Sequence, residues 1–384
     1  MSQCTLPFSL LSAKFLGASD RLVVAGNSGA SHGIVEVQYV EQDSVFLNKC
    51  EFSFVGRSVT ATELCGVGRL GKSILAVGTA PASTNPTTVF SSSSSSSNSS
   101  SSSSSNFSSP AGGVGLDLLD VVAAVDGATI KPVMSLRGGG TDGHPPLDAS
   151  SLVSLSFYGD QEVLAAGGEE GDVALWDLGT GKQLRRFCAD ACGLTQIEFT
   201  RSGQLITCGM ATTHQLQMWD VRCSGNRAVA GTDVTFARAL QHPAAAAVDG
   251  DANYTRRSRS QLYYTSVSTQ SLYNKVLCGT SRGGLAVWDL RSEAVAQYQP
   301  HAANAQVTAV LAHPWKQDLL VSASTDGTVK TTDLLRQGGA GDADTLHTTV
   351  VTEPAAFRGV DCDRDSGLLA AYSTLGGLWR LQLS

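Results

Sequence analysis

Several things are scarce in this chain. Charged side chains make up 16% of its 384 residues, aromatic ones 7%, and methionine occurs four times. With a formal net charge of −7 and a pI near 5.5 there is no basic stripe of the kind that phosphate neutralisation demands, so direct nucleic-acid binding is not expected. The one basic cluster, Arg256, Arg257 and Arg259, sits in a polar insertion and reads as a solvated loop. No apolar run approaches the 18 residues of a membrane-spanning helix. The start, MSQCTLPFSLLSAKFLG, has neither a charged n-region nor a long apolar core, so a secretory signal is not expected. Nine cysteines, at 4, 50, 65, 188, 192, 208, 223, 278 and 362, contain no CxxC and no pairing rhythm, which predicts reduced thiols. In such a chain the sequon matches at Asn98, Asn106 and Asn253 carry no meaning.

What the sequence does have is apolar residues (42%), glycine (40 residues) and a repeat. Four segments align directly: EVLAAGGEEGDVALWDL (162–178), QLITCGMATTHQLQMWDVR (204–222), KVLCGTSRGGLAVWDLR (275–291) and LLVSASTDGTVKTTDL (319–334). Each reads as strand, small-residue turn, strand and a closing Trp-Asp or Thr-Asp. Trp176, Trp219, Trp288, Thr332 and Trp379 hold equivalent slots, spaced 43, 69, 44 and 47 residues apart. A unit of roughly 40–45 residues is the period of a four-stranded propeller blade, and the long gap is one unit plus an insertion at about 241–270. Asp326-Gly327, Gly283-Gly284 and Gly376-Gly377 suit tight hairpins with positive φ at both central residues. An alternating apolar strand precedes each hairpin: LVSLSF (152–157), LTQIEF (194–199), VTAVLAH (307–313) and FRGVDC (357–362).

Two fainter units lie upstream, at 21–40 and at 63–80 resuming at 115–125, and the last is GLLAAYSTLGGLWRLQL (367–383). Together they predict an all-β, seven-bladed propeller formed by residues 1–384 as one domain. The last blade lacks an outer strand after Trp379, so the segment around Leu6–Leu11 is expected to supply it and close the ring. Ser91–Ser105, serine except for Asn98, cannot offset its ordering entropy by burial, so a disordered loop is expected at about 87–113.

Several strings imitate catalytic motifs. Gly66-Val67-Gly68-Arg69-Leu70-Gly71-Lys72-Ser73 fits GxxxxGK[ST], where Lys72 would pair with phosphate and Ser73 with magnesium; the chemistry needs a helix next, and ILAVGTAPASTNP cannot form one. It reads as an inter-strand turn. Gly279-Thr280-Ser281-Arg282-Gly283 fits GxSxG, but Ser281 falls between two strands, where a nucleophile elbow cannot form. Asp361, Asp363 and Asp365 open like a calcium loop, yet Ser366 and Tyr372 stand where glycine and glutamate belong. Cys188, Cys192 and His214 lack a fourth zinc ligand and standard spacing, and the cysteines read as small buried hydrophobes. His313, before Pro314, reads as a turn-ordering residue. No catalytic, metal or cofactor site is expected, and the chain is read as non-enzymatic.

The WDL at 176–178, WDVR at 219–222 and WDLR at 288–291 resemble the WD-repeat family. The resemblance implies that Trp176, Trp219, Trp288 and Trp379 pack between blades, that Asp177, Asp220 and Asp289 fix turns, and that Asp326 and Asp333 hold the matching places in blade 6. Trp379-Arg380 and Thr332-Asp333 depart from the motif, and the Gly-His dipeptide is missing from many blades, so the family's Asp–His–Ser/Thr–Trp tetrad is expected to be incomplete. More narrowly, the order of features over 150–384 resembles the nucleoporin 43 family, the small WD-repeat members of the Y-shaped nuclear pore scaffold. That likeness implies a protein–protein scaffold at the nuclear envelope, partnered by other scaffold nucleoporins and supporting protein and mRNA transport, without membrane insertion. The alternative is another WD-repeat adaptor, such as a ubiquitin-ligase substrate receptor or an organelle-import receptor.

Overall fold

In the computed structural model, the residues described are 2–16, 21–29, 32–40, 46–67, 72–81, 115–121, 129–136, 152–211, 215–221, 262–269, 275–292, 295–313, 315–316, 318–335, 347–352, 355–363 and 366–383. Residues 87–113 with the serine tract, 241–260 of the insertion, Arg256, His214 and Asp365 lie outside them.

The described chain is almost entirely antiparallel β-sheet. Blade 1 contains β2 (Ser9–Phe15), β3 (Arg21–Asn27), β4 (His32–Val40) and β5 (Phe46–Val55); blade 2 contains β6 (Arg57–Val67), β7 (Lys72–Pro81), β8 (Gly115–Asp120) and β9 (Lys131–Leu136). These two are joined by a single parallel bridge, His32 to Arg57. Blade 3 is β10 (Leu152–Tyr158), β11 (Val163–Gly168), β12 (Asp172–Asp177) and β13 (Lys182–Cys188). Blade 4 shows three strands among the described residues, β14 (Leu194–Phe199), β15 (Gln204–Gly209) and β16 (Leu216–Asp220). Blade 5 is β17 (Tyr264–Ser268), β18 (Lys275–Thr280), β19 (Leu285–Asp289) and β20 (Val295–Tyr298); blade 6 is β21 (Val307–Ala312), β22 (Leu319–Ser324), β23 (Thr328–Asp333) and β24 (His347–Thr352). Blade 7 is β25 (Phe357–Asp363), β26 (Leu368–Ser373) and β27 (Gly377–Gln382), with β1 (Ser2–Thr5) at its outer edge.

The innermost strands touch in a cycle: β2, β6, β10, β14, β17, β21, β25 and back to β2. The all-β propeller class read from the repeats is therefore what the chain adopts. The strand on β27 corrects one expectation. Ser2–Thr5 pairs with it, from Ser2 opposite Arg380 to Thr5 opposite Gly377, whereas the Leu6–Leu11 segment leads into β2, the inner strand of blade 1. The apolar pattern misled because an outer strand needs only backbone hydrogen bonds. Leu10, at 2% exposure, marks a strand of the core instead.

The hairpin turns also differ in detail. Only one residue in each is left-handed: Gly327 at φ 79°, Gly283 at 72° and Gly376 at 83°. The Gly327 N–H donates to the Ser324 carbonyl and the Gly376 N–H to that of Ser373. This is a type I turn followed by a left-handed glycine, the other common way to match strand twist. At Gly376 a side chain would also collide with the Leu6 carbonyl, 2.5 Å from the position of its Cβ.

Packing follows the repeat. Trp176 is 1% exposed in a cluster with Ala61, Ile74 and Leu118 of blade 2. Trp219 packs on Phe187 of blade 3 with ring centroids 4.8 Å apart, and Trp288 meets Ile206 and Cys208 of blade 4. Trp379 shares a cluster with Val321 of blade 6 and lies edge-on to Phe357 at 5.0 Å. Each indole thus covers the blade before its own.

Candidate functional site

All seven inner strands carry a register irregularity at the same place. The skipped residues are Leu11, Thr60, Val153, Thr195, Thr265, Thr308 and Arg358, each one or two residues past an apolar start. A bulge bends a strand and re-aims its side chain, and here it turns one residue per blade toward the axis.

The hydroxyls at this level bridge blades. Thr195 Oγ1 donates to the Tyr264 carbonyl at 2.8 Å, Thr265 Oγ1 to that of Val307 at 2.5 Å and Thr308 Oγ1 to that of Phe357 at 3.1 Å. In each case the acceptor is a strand-start residue of the next blade. Thr60 occupies the same place in blade 2, and its hydroxyl has no hydrogen-bond partner.

Three residues further along lies a second layer: Lys14, Glu63, Ser156, Glu198, Ser268, Leu311 and Asp361. Inner strands of neighbouring blades do not pair as sheets, so their facing N–H groups need other acceptors. This layer supplies them. Ser156 Oγ accepts from the Phe199 N–H at 2.9 Å, Glu198 Oε1 from the Thr269 N–H at 2.8 Å, and Asp361 Oδ2 from the Phe15 N–H at 2.9 Å. Lys14 cannot accept, and its Nζ instead pairs with Glu63 Oε2 at 2.5 Å.

These groups line a cavity of about 370 Å³ along the axis. Burial alone would pull the Lys14 pKa down, but Glu63 and then Asp361 outweigh it and hold the ammonium charged. Glu198 is pushed up to about 7 by burial, against the lowering effect of its Thr269 hydrogen bonds. Tyr372, behind them, is pushed up to about 12 by burial, with Lys14 opposing. At the other mouth, a second cavity is lined by strand starts, including Thr60, Thr195 and the exposed Arg358. The channel is polarised: a guanidinium at one end, carboxylates at the other.

The blade turns hold the remaining sequence-derived positions. Asp177 Oδ1 accepts from the Gly179 N–H at 2.8 Å, Asp289 Oδ1 from the Arg291 N–H at 2.8 Å and Asp333 Oδ1 from the Leu335 N–H at 2.9 Å. Asp220 ends β16 opposite Gln204. The turn hydrogen bonds from the Arg291 and Ser292 N–H groups hold the Asp289 carboxyl below its ordinary pKa. In blade 6, His301 Nδ1 lies 3.1 Å from Asp326 Oδ2 and its Nε2 lies 2.8 Å from Ser322 Oγ. Asp326, His301 and Ser322 therefore form three members of the tetrad, with buried Thr332 in the tryptophan place. Hydrogen bonds from Thr328 and the nearby His301 hold the Asp326 carboxyl low despite its burial. Sequence reading missed His301, which follows Pro300 instead of the glycine of a Gly-His pair; its only signal is the 25-residue interval to Asp326. His313 Nδ1 accepts from the N–H groups of Trp315 and Lys316 at 3.3 and 3.2 Å, a turn-ordering geometry.

The motif look-alikes fall as follows. Gly66 pairs with Ser73, and Val67 with Lys72, across the β6–β7 hairpin, so no helix follows the GKS string. Ser281 lies in the β18–β19 turn, exchanging hydrogen bonds with the Tyr263 backbone. Asp361 faces the channel while Asp363 accepts from Ser366 Oγ at 2.5 Å, so the two do not converge. Cys188 and Cys192 are exposed, which corrects the reading of both as buried; Asp190 between them faces its own turn, accepting from the Cys192 and Gly193 N–H groups. Among the described residues, no three His, Cys, Asp or Glu side chains are placed to hold one metal ion.

A sequence profile decides the family: that described as nucleolar protein 10-like, N-terminal domain, matches residues 149–373. The chain belongs to this β-propeller family. The match runs from the start of blade 3 to the end of β26, over more than half of the 384 residues. It supports the WD-repeat propeller reading and, with it, the interaction-scaffold class. A comparison with curated proteins finds no match.

Proposed function

We propose that the protein is a non-enzymatic, WD-type protein–protein scaffold of the nucleus, a member of the Y-shaped nuclear pore assembly. The observation that carries the scaffold part is the use of the polar groups at the axis. Ser156, Glu198 and Asp361 accept backbone N–H groups of the next blade, which fits rigidity more than turnover. A rigid disc that presents loops is the usual platform for partners. Two large apolar side chains stand out on neighbouring loops of blade 6, Trp315 at 52% and Leu335 at 71% exposure. The pore assignment rests on the resemblance of the strings over 150–384 to the nucleoporin 43 family, and it names other scaffold nucleoporins as partners. The proposed domain is a single propeller over 1–384.

A second reading, a scaffold of the nucleolus, is favoured by the family profile, whose name is nucleolar. Affinity purification of the tagged protein, under conditions that keep large assemblies intact, separates the two. Stoichiometric scaffold nucleoporins support the pore. Nucleolar components in their place replace it with the second reading, and ubiquitin-ligase or organelle-import subunits overturn both. Calorimetric titration with MgATP is expected to give no binding heat, as befits Lys72 and Ser73 at the start of a strand.

A further inference from the structure

The acidic end of the channel holds buried hydroxyls that no protein group meets. Glu63, Glu198 and Asp361 come from three different blades and occupy one layer of the same cavity; Lys14 shares that layer, and Arg358 lines the cavity three residues before Asp361 on β25. Ser268 Oγ lines that layer at 1% exposure and has no hydrogen-bond partner; neither has Thr62 Oγ1, also on the cavity wall. Buried hydroxyls without partners are costly unless water or a ligand meets them. The carboxylates are not grouped to ligate a single metal ion, as the described residues hold no such cluster. A group with several N–H donors spread around one charge would reach them better.

We propose that the Glu63–Glu198–Asp361 end of the channel binds a cationic group, a guanidinium or primary ammonium carried on a flexible stem. The cavity of about 370 Å³ is large enough for such a head and its methylenes. Arg358 at the opposite mouth repels the same charge, so the head seats at the acidic end. The groups around Glu198 are Glu63 on β6, Lys14 on β2, Asp361 on β25 and Tyr372 on β26, with Arg358 beyond. A bound cation favours ionised Glu198, whose pKa near 7 makes binding release a proton. Affinity then rises about tenfold between pH 6 and pH 8. The inference rests on the channel alone, so it is independent of which nuclear assembly the scaffold joins.

The test is calorimetry on the full chain with N-acetyl-arginine methylamide and with spermidine, using the neutral citrulline analogue as control, at pH 6 and pH 8. Binding of either cation, absent for citrulline and tighter at pH 8, is expected. Binding of the arginine compound alone points to a partner protein's side chain, and binding of spermidine alone to a free polyamine; either supports the site. Glu198→Gln and Asp361→Asn, which keep an oxygen for the Thr269 and Phe15 N–H groups, are expected to weaken it at least about tenfold, while Arg358→Gln does not. Equal heats for citrulline, no heat from either cation, or affinity in the wild-type chain that ignores pH overturns the proposal. The last criterion holds even if a variant fails to fold.

Discussion

The seam between blades 2 and 3 and the seam between blades 4 and 5 bury the same kind of apolar cluster, around Trp176 in the first and Trp288 in the second, and differ in the hydrogen bonds that cross them. At the first, the hydroxyls of Thr60 and Thr62 beside the cluster find no partner. The second is sewn by side chains: Thr195 to Tyr264, Gln196 to Val267 and Glu198 to Thr269. Packing energy is non-directional and scales with the apolar area removed from water. Hydrogen bonds contribute less each, but they fix the relative position of two backbones. The seam between blades 4 and 5 therefore gains register from its side chains in addition to the stability of its packing.

Emptying the packed seam has the largest expected effect. Trp176→Ala removes a fully buried indole and is expected to cost about 3–5 kcal/mol. Trp176→Phe should cost clearly less, since the indole N–H has no partner to lose. Denaturant unfolding of both variants checks the order, and equal losses would mean that shape outweighs area there. Deleting residues 1–5 strips β1 from β27 and exposes a sheet edge, at an expected cost of roughly 2–4 kcal/mol from its lost ladder bonds. An unchanged melt would show that β1 does not close the ring. Lys14→Met leaves Glu63 without its cation inside the channel, and channel water limits the loss to about 1–3 kcal/mol.

The sewn seam is best probed by pH. The Glu198 pKa is raised from 4.5 to about 7, so the folded state binds the extra proton. Its contribution is therefore fully present below pH 4.5 and is lost as pH rises through 7. Glu198→Gln is expected to match the wild type near pH 5 and to exceed it near pH 8 by about 1–2 kcal/mol, read from thermal melts at both values. A variant less stable at both would assign the ionised carboxylate a stabilising role. The smallest and sharpest contrast is Thr195→Val against Thr60→Val. The first should lose about 1 kcal/mol with its bond to Tyr264, and the second should lose nothing, having none.

Much of the architecture is legible in the chain. Alternation in LVSLSF, LTQIEF, VTAVLAH and FRGVDC marked inner strands that became β10, β14, β21 and β25. The tryptophan slots at 176, 219, 288 and 379 gave the period, because each indole must be buried once per blade. Where a strand owes its place to backbone pairing alone, as Ser2–Thr5 does, no side-chain pattern announces it. The tetrad around His301 was hidden for a related reason: its members recognise one another by position, and Pro300 had replaced the usual flag.

What the sequence determined by itself is local: apolar alternation, glycine turns and the repeat length all act over a few residues and survive as patterns. The channel was decided only by tertiary structure. Lys14, Glu63, Glu198 and Asp361 are scattered over nearly the whole chain and share no motif, and seven aligned bulges bring them to one layer. Their charges interact because ring closure puts them within reach of one another, and separation along the chain carries no information about that distance.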